Sequence, residues 1–197
     1  MLVSSWFTFH KAQCSQYGLT FIELLITFSI LAILLLAAIP GFSYWRAKAE
    51  SHMVIYTLHS QLQTARQLAI ARGITTSLCG SNTQGVCQSR HFSHLQIFVD
   101  VNQNKIRDSH EELISITPLA LNGHLRLNNH TRLQFKNNGS SHTPASFIYC
   151  PATPIKQLVQ RVTLSFTGRP YIAQHNAEGI IKNSGGSDIH CPNWKKG

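Results

Sequence analysis

The sequence predicts an α+β protein, with one long N-terminal helix packed on a small antiparallel β-rich domain. Three observations carry this. Leu19 to Ile39 is an apolar run whose one charge is Glu23. Apolar residues then recur at helical spacing from Val54 to Ala69, ahead of Gly73. Beyond Gly73, short apolar segments alternate with Asn- and Gly-rich turn signals as far as the C-terminal tail.

The first element is the apolar half of the helix. Its 21 residues, Leu19 to Ile39, span about 30 Å at the α-helical rise, enough to cross a bilayer core. A secretory signal peptide has a shorter apolar core, although Ala37-Ala38-Ile39-Pro40-Gly41 loosely imitates a cleavage site. A plain anchor has no need of Glu23, because a lone carboxylate is costly in lipid and implies a partner.

Gly18-Leu19-Thr20-Phe21-Ile22-Glu23-Leu24-Leu25-Ile26 resembles the processing site of type IV prepilins and type II secretion pseudopilins. The resemblance implies a pilin-like fold. It also implies a membrane-embedded prepilin peptidase that cuts after Gly18 and methylates the new amine of Leu19. Glu23 matches the family's glutamate five residues into the mature chain, and Pro40 its helix-kinking proline. Leu19 departs from the usual Phe or Met, and Tyr17 from the usual Lys or Arg. The chemistry can be stated from the residues alone. Cutting after Gly18 leaves a protonatable amine on Leu19 inside an apolar layer, and a carboxylate buried alone is equally unfavourable. Pairing Glu23 with a neighbouring subunit's amine removes both costs, which makes this a polymer-forming helix.

Cysteine parity agrees with export. Of five cysteines, Cys14 leaves with the leader, and Cys79, Cys87, Cys150 and Cys191 remain. An even number beyond a membrane suggests disulfides. Of the three connectivities we favour Cys79–Cys87, closing a short loop through Asn82-Thr83-Gln84-Gly85, and Cys150–Cys191, pinning the tail to the β domain. Free buried thiols are the alternative. Lys11 precedes the span while Arg46 and Lys48 follow it, so the positive-inside rule by itself favours the reverse orientation. The processing site and the cysteines place the soluble domain in the periplasm and the anchor in the inner membrane.

The second element is the outer half of the helix. Val54, Leu58, Leu62, Ala65 and Ala69 form one apolar stripe, and Arg72 then Gly73 form a C-terminal stop. The whole helix, from Thr20 to Arg72, would be about 80 Å long, with a kink or melted stretch at Pro40 and Gly41. The expected organisation is a leader at 1–18, a transmembrane half at 19–40, an amphipathic half at 41–72 and a periplasmic β-rich domain at 73–197.

Within that domain, strands are expected at Leu95–Val99, Leu113–Ile116, Leu125–Leu127, Leu133–Phe135, Phe147–Cys150 and Val162–Phe166, with turns at Asn122-Gly123, Asn137-Asn138-Gly139 and Gly168. The helix stop, a cysteine pair after the first strand and an Asp-x-Asn-x-Asn loop after Val99 together resemble the FimT/GspH branch of pseudopilins, minor subunits of type IV pili or type II secretion filaments. Some FimT members bind DNA in natural transformation through Gly-Arg-x-Arg. Here the matching residues are Gly168-Arg169-Pro170-Tyr171, so the second arginine is absent.

Charge is an independent signal. Residues 73–197 hold twelve Lys and Arg against six Asp and Glu. Asp100, Asp108, Glu111 and Glu112 crowd one loop with Lys105 and Arg107, so ten basic residues elsewhere face Glu178 and Asp188 alone. Such a surface attracts phosphates. Arg161, Arg169, Lys182, Lys195 and Lys196 are the candidate DNA-binding residues, with Tyr171 and Trp194 as stacking faces. A solvated surface, or one facing an acidic neighbour in the filament, is the alternative.

Asp100, Asn102, Asn104, Asp108 and Glu111 fall on the EF-hand ligand positions, but Lys105 stands where that loop needs glycine and adds a repelling charge. A hairpin tip with Asx-turns is the better reading, a Ca²⁺ site on these five residues is the alternative, and no other cofactor is expected. His91 with His94 and His124 with His130 lack a third ligand. No catalytic constellation, phosphate loop or small-molecule site is evident, so an enzyme is not expected. The functional expectation is a minor pilin or pseudopilin, assembled with other pilins through its helix, with DNA binding for uptake; a purely structural secretion pseudopilin is the alternative.

Overall fold

A computed structural model describes residues 18, 20–90, 92–128, 130–183, 185–189 and 191, without the side chains of 36–41. The chain divides into two compact units, Met1–Phe42 and Ser43–Gly197. Helix α1, Phe21–Arg72, contributes to both. It remains helical at 40–41, so there is no melted stretch at Pro40, whose side chain lies outside the described residues.

In the first unit, residues 20–35 are exposed on every side of α1. A helix that is apolar all round has no single core-facing stripe; such a surface suits lipid or other helices. Its two hydroxyls fit that setting, because Thr27 Oγ1 donates to the Leu24 carbonyl at 2.9 Å and Ser29 Oγ to the Leu25 carbonyl at 2.8 Å, leaving neither without a partner. Among the described residues no helix is long and apolar enough to cross a membrane. The apolar run continues through 36–39, beyond the side chains described.

In the second unit, α1 is amphipathic. Val54, Ile55, Leu58, Leu62, Ala65 and Ala69 are all but fully buried. The helix ends as its Arg72-Gly73 stop demands. Gly73 takes φ +64°, its N–H donates to the Ile70 carbonyl and that of Ile74 to the Ala69 carbonyl. This is the Schellman pattern, which satisfies carbonyls that have no intrahelical partner.

Two antiparallel sheets follow. In the first, β1 (Thr76–Ser81) is central. It pairs with β3 (His94–Val99) along one edge and with both β6 (Arg132–Phe135) and the short β2 (Cys87–Gln88) along the other, while β4 (Leu113–Pro118) flanks β3. The second runs β5 (His124–Leu127), β7 (Ala145–Cys150), β8 (Gln160–Leu164), β9 (Pro170–Ile172). One core joins the helix stripe to both sheets, through Leu78, Leu95, Ile97, Leu133, Phe135, Phe147, Tyr149, Val162 and Leu164.

Two strand expectations change. Cys79 lies inside β1, not after it, and bonds to Cys87 of β2. Phe166 is not in β8 but in the turn beyond it, 65% exposed. There the Ser165 N–H donates to the Arg169 carbonyl, and Gly168 takes φ +72° against the Gly139 carbonyl, where a Cβ would collide. The second disulfide joins Cys150 to Cys191. It sits in a small satellite core with Ile148, Val159 and Ile189 and fixes the final described segment to β7.

Candidate functional site

The head of α1 is built from two side chains. The Thr20 N–H and Oγ1 both donate to Glu23 Oε2, at 2.9 and 3.0 Å, and the Glu23 N–H donates back to Thr20 Oγ1 at 3.3 Å. This reciprocal arrangement is a capping box, which occupies donors that the first helical turn leaves without partners. Glu23 is therefore already hydrogen-bonded within its own chain, and the carboxylate is held at the helix head, the favourable end of the helix dipole. Leu19, the expected methylation site, lies outside the described residues.

A second carboxylate, Glu50, is the main polar tie between α1 and the β domain. Its Oε1 accepts from the Asn122 N–H at 2.6 Å, the Gly123 N–H at 3.0 Å and the Tyr149 hydroxyl at 2.7 Å, while Oε2 accepts from Asn122 Nδ2 at 2.8 Å. Gly123 is required here: a Cβ would strike the Cys150 carbonyl and the Tyr149 ring. Partial burial pushes the Glu50 carboxyl up, but the hydrogen bonds, led by that from Tyr149, outweigh it and hold it below its ordinary range. Burial first, then the bond to Glu50 and its charge, push the Tyr149 hydroxyl far up. Glu50 is absent from the sequence-derived site residues because its partners are 72 to 99 residues away.

The acidic loop closes on itself. Asp100 is fully buried. Its Oδ2 accepts from Ser77 Oγ at 2.6 Å, Gln134 Nε2 at 2.9 Å and the Lys105 N–H at 3.0 Å, which anchors the loop to β1 and β6. Lys105 adopts φ +65°, the conformation that glycine supplies in an EF-hand. The ligand positions nevertheless point the wrong atoms inward. The oxygens of Asn102 and Asn104 accept the backbone N–H groups of Asn104 and Ile106, while both side-chain amides donate to Asp108 Oδ2 at 2.7 and 3.1 Å. Glu111 accepts the Val101 and Asp108 N–H groups. A hard cation needs oxygen ligands, and Asn102 and Asn104 present N–H to the carboxylate instead. Ligand atoms of Asp108, His110 and Glu111 do lie within 4.8 Å of one another, but the two carboxylates are hydrogen-bonded inside this Asx-turn network.

The C-terminal basic candidates are dispersed. Arg169 is exposed in the β8–β9 turn, whereas Arg161 is half-buried near the start of β8, at the far end of that hairpin. Lys182 bridges by backbone to Asp188, which is ion-paired with Lys156 at 2.9 Å. Lys195 and Lys196 lie outside the described residues, as do His91 and Trp194. A different set of cations meets at the junction of the sheets. Arg90 and Arg126 pair through an isolated antiparallel bridge, close to Arg132 and Lys105.

A lone apolar-headed helix continuing into an amphipathic half that packs on two antiparallel sheets defines the pilin class of filament subunit. Residues 14–39 match the prokaryotic N-terminal methylation motif, and residues 56–168 match the family described as Type II transport protein GspH. The chain belongs to the GspH family: it is a non-enzymatic minor pilin or pseudopilin of a type IV pilus or type II secretion apparatus. The fold is similar to that of the Pseudomonas aeruginosa type IV minor pilin FimU, at 17% identity and TM-score 0.50 over 64% of this chain and 90% of that one. A second crystal form of FimU gives 16% identity and TM-score 0.46 over 64% and 91%. No curated protein sequence matches the chain. The methylation motif implies processing by prepilin peptidase, anchoring in the inner membrane before assembly, and filament formation with other pilins.

Proposed function

We propose that the chain is cut after Gly18, methylated on the amine of Leu19, held with its second unit in the periplasm, and drawn into a filament by pairing of Glu23 with a neighbouring subunit's amine. The observation that carries this is the match of residues 14–39 to the N-terminal methylation motif, with Glu23 at the head of a helix whose residues 20–35 are exposed on every side. An exposed face of large apolar side chains on the outer half of α1 supports it. Trp45, Met53 and Tyr56 are 66, 51 and 61% exposed, on a helix whose other side is buried against the sheets. Mass spectrometry of the N-terminus tests the reading. The chain recovered from sheared filaments should begin at N-methylated Leu19, and Gly18→Val should leave the leader in place and remove the chain from the filament. A leader-bearing chain in wild-type filaments would overturn it.

A second reading, DNA binding, is supported by the β8–β9 turn. Arg169 is exposed there, and Phe166 and Tyr171, near it in sequence, are 65 and 52% exposed, so a cation and two stacking surfaces share one end of the hairpin. Arg169→Gln should then weaken oligonucleotide binding several-fold and reduce the salt slope by about 1. Wild-type protein that retains no DNA at low salt leaves the purely structural role.

A further inference from the structure

A polar cleft of about 450 Å³ opens beside the acidic loop. Arg90, Lys105, His130 and Arg132 line it, together with Ser89 and Thr131. Strand register gathers them. One edge of β1 pairs with β6, Cys79 opposite Arg132, and then with β2, Gly80 opposite Gln88. The start of β6 and the residues just past β2 therefore meet along that edge. Lys105 is held in place through its N–H, which donates to the buried Asp100 carboxylate at 3.0 Å. No side-chain carboxylate lines the cleft. All eight Asp and Glu side chains of the chain accept hydrogen bonds from other groups. Asp100 and Asp108, which adjoin the lining, hold the Lys105 N–H and the Asn104 side-chain amide, not a cation. The ion pairs among the described residues, Arg72–Glu112 and Lys156–Asp188, use neither Arg90, Lys105 nor Arg132. Arg132 Nε is buried without an acceptor among the described residues, and its Nη1 reaches the Thr131 hydroxyl only at a weak 3.5 Å. A buried guanidinium donor without an acceptor is costly, and an anionic ligand supplies the acceptor.

We propose that this cleft binds the phosphate-monoester group of a small soluble ligand, such as a sugar phosphate. Arg90, Lys105 and Arg132 stand on three separate segments of the chain and are permanently charged. They suit a group that carries about two negative charges on three oxygens near neutral pH. A carboxylate brings a single charge on two oxygens and leaves more of the cleft's charge unmatched. Leu127 is the one apolar side chain of the lining, and no aromatic ring belongs to it. An acyl chain therefore has no groove there, which argues against a lipid. A base has no stacking face there, which argues against single-stranded nucleic acid.

The test is isothermal titration calorimetry of the full chain in non-ionic detergent, with glycerol 3-phosphate as the probe at about pH 7.5, where the monoester is a dianion. Binding should be saturable, with Kd of about 1 mM or below. Arg90→Gln and Arg132→Gln should each weaken it about tenfold or more, the effect of losing one charge-assisted hydrogen bond. Arg107→Gln removes the same charge from an exposed residue of the loop that carries Lys105, outside the cleft lining, and should leave Kd within about twofold. Arg90 is exposed, so Arg90→Gln carries the test where Arg132→Gln fails to fold, and circular dichroism checks both. The proposal is overturned by glycerol 3-phosphate that shows no saturable binding, by Arg107→Gln weakening it as much as Arg90→Gln, by acetate that binds as tightly, or by an oligothymidylate that binds in an Arg90-dependent way where glycerol 3-phosphate does not. Processing at Gly18 and incorporation through Glu23 are untouched by each of these results, so the two readings fail separately.

Discussion

Glu50→Ala is expected to lower the melting temperature of the β-domain unit by about 10 °C, at about 2–4 °C per kcal/mol for a chain of this size. The reason is the asymmetry between making and breaking a partly buried network. Removing the carboxylate leaves the Tyr149 hydroxyl and the Asn122 and Gly123 N–H groups without their acceptor. Stranded donors of this kind cost about 1–3 kcal/mol each, reduced here because the site is partly solvated, for a total of about 4 kcal/mol. Glu50→Gln retains one oxygen but turns an amide toward Asn122 Nδ2, and should fall between alanine and wild type.

The pH dependence of that difference separates charge from shape. The Glu50 carboxyl is held below its ordinary 4.5 in the folded chain. Its charged form therefore adds stability that is fully present above the unfolded value and is lost as pH falls through the folded one. Denaturant titrations of wild type and Glu50→Gln should show a gap that is constant near neutrality and closes below about pH 4.5, because a protonated glutamate resembles glutamine. A gap that persists unchanged to low pH would mean that the network depends on shape, not on the ionised carboxylate.

How much of this was legible depends on how local the signal is. The stripe from Val54 to Ala69 and the stop at Gly73 were readable because helix contacts recur within four residues, and the burial of every stripe residue follows. β1 was not readable as a strand. Thr76-Ser77-Leu78-Cys79-Gly80-Ser81 is buried on both faces, so it lacks the alternation that marks a half-buried strand. Gly80 belongs there because the Phe92 ring occupies the space of a Cβ, a contact that no spacing rule reveals. Phe166 misled because it continues the alternation of β8 beyond Leu164, inside the turn that the Gly168 N–H closes on the Ser165 carbonyl. Glu50 and the cluster of Arg90, Arg126 and Arg132 depend on strand register across tens of residues, so composition showed that the domain is basic but not where the cations gather. The Thr-x-x-Glu spacing of the capping box is visible in the sequence at Thr20 and Glu23.

That capping box makes the most consequential prediction testable. Glu23→Ala removes two things at once, the bond to Thr20 and the charge, so its loss from filaments would be ambiguous. Glu23→Gln keeps a side chain that can complete the box while removing the charge. If pairing with a neighbour's amine drives assembly, both variants should be equally defective. An amine left buried without its partner costs about 3–5 kcal/mol, which corresponds to a loss of incorporation on the order of a hundredfold to a thousandfold. Thr20→Val makes the complementary change: it deletes the hydroxyl contacts, keeps the carboxylate, and costs about 1 kcal/mol of helix capping, so incorporation should stay within about tenfold of wild type. The measurement is the amount of each chain in sheared filaments relative to its amount in the membrane. Normal incorporation of Glu23→Gln would assign Glu23 to capping of its own helix and remove the intersubunit pair from the account.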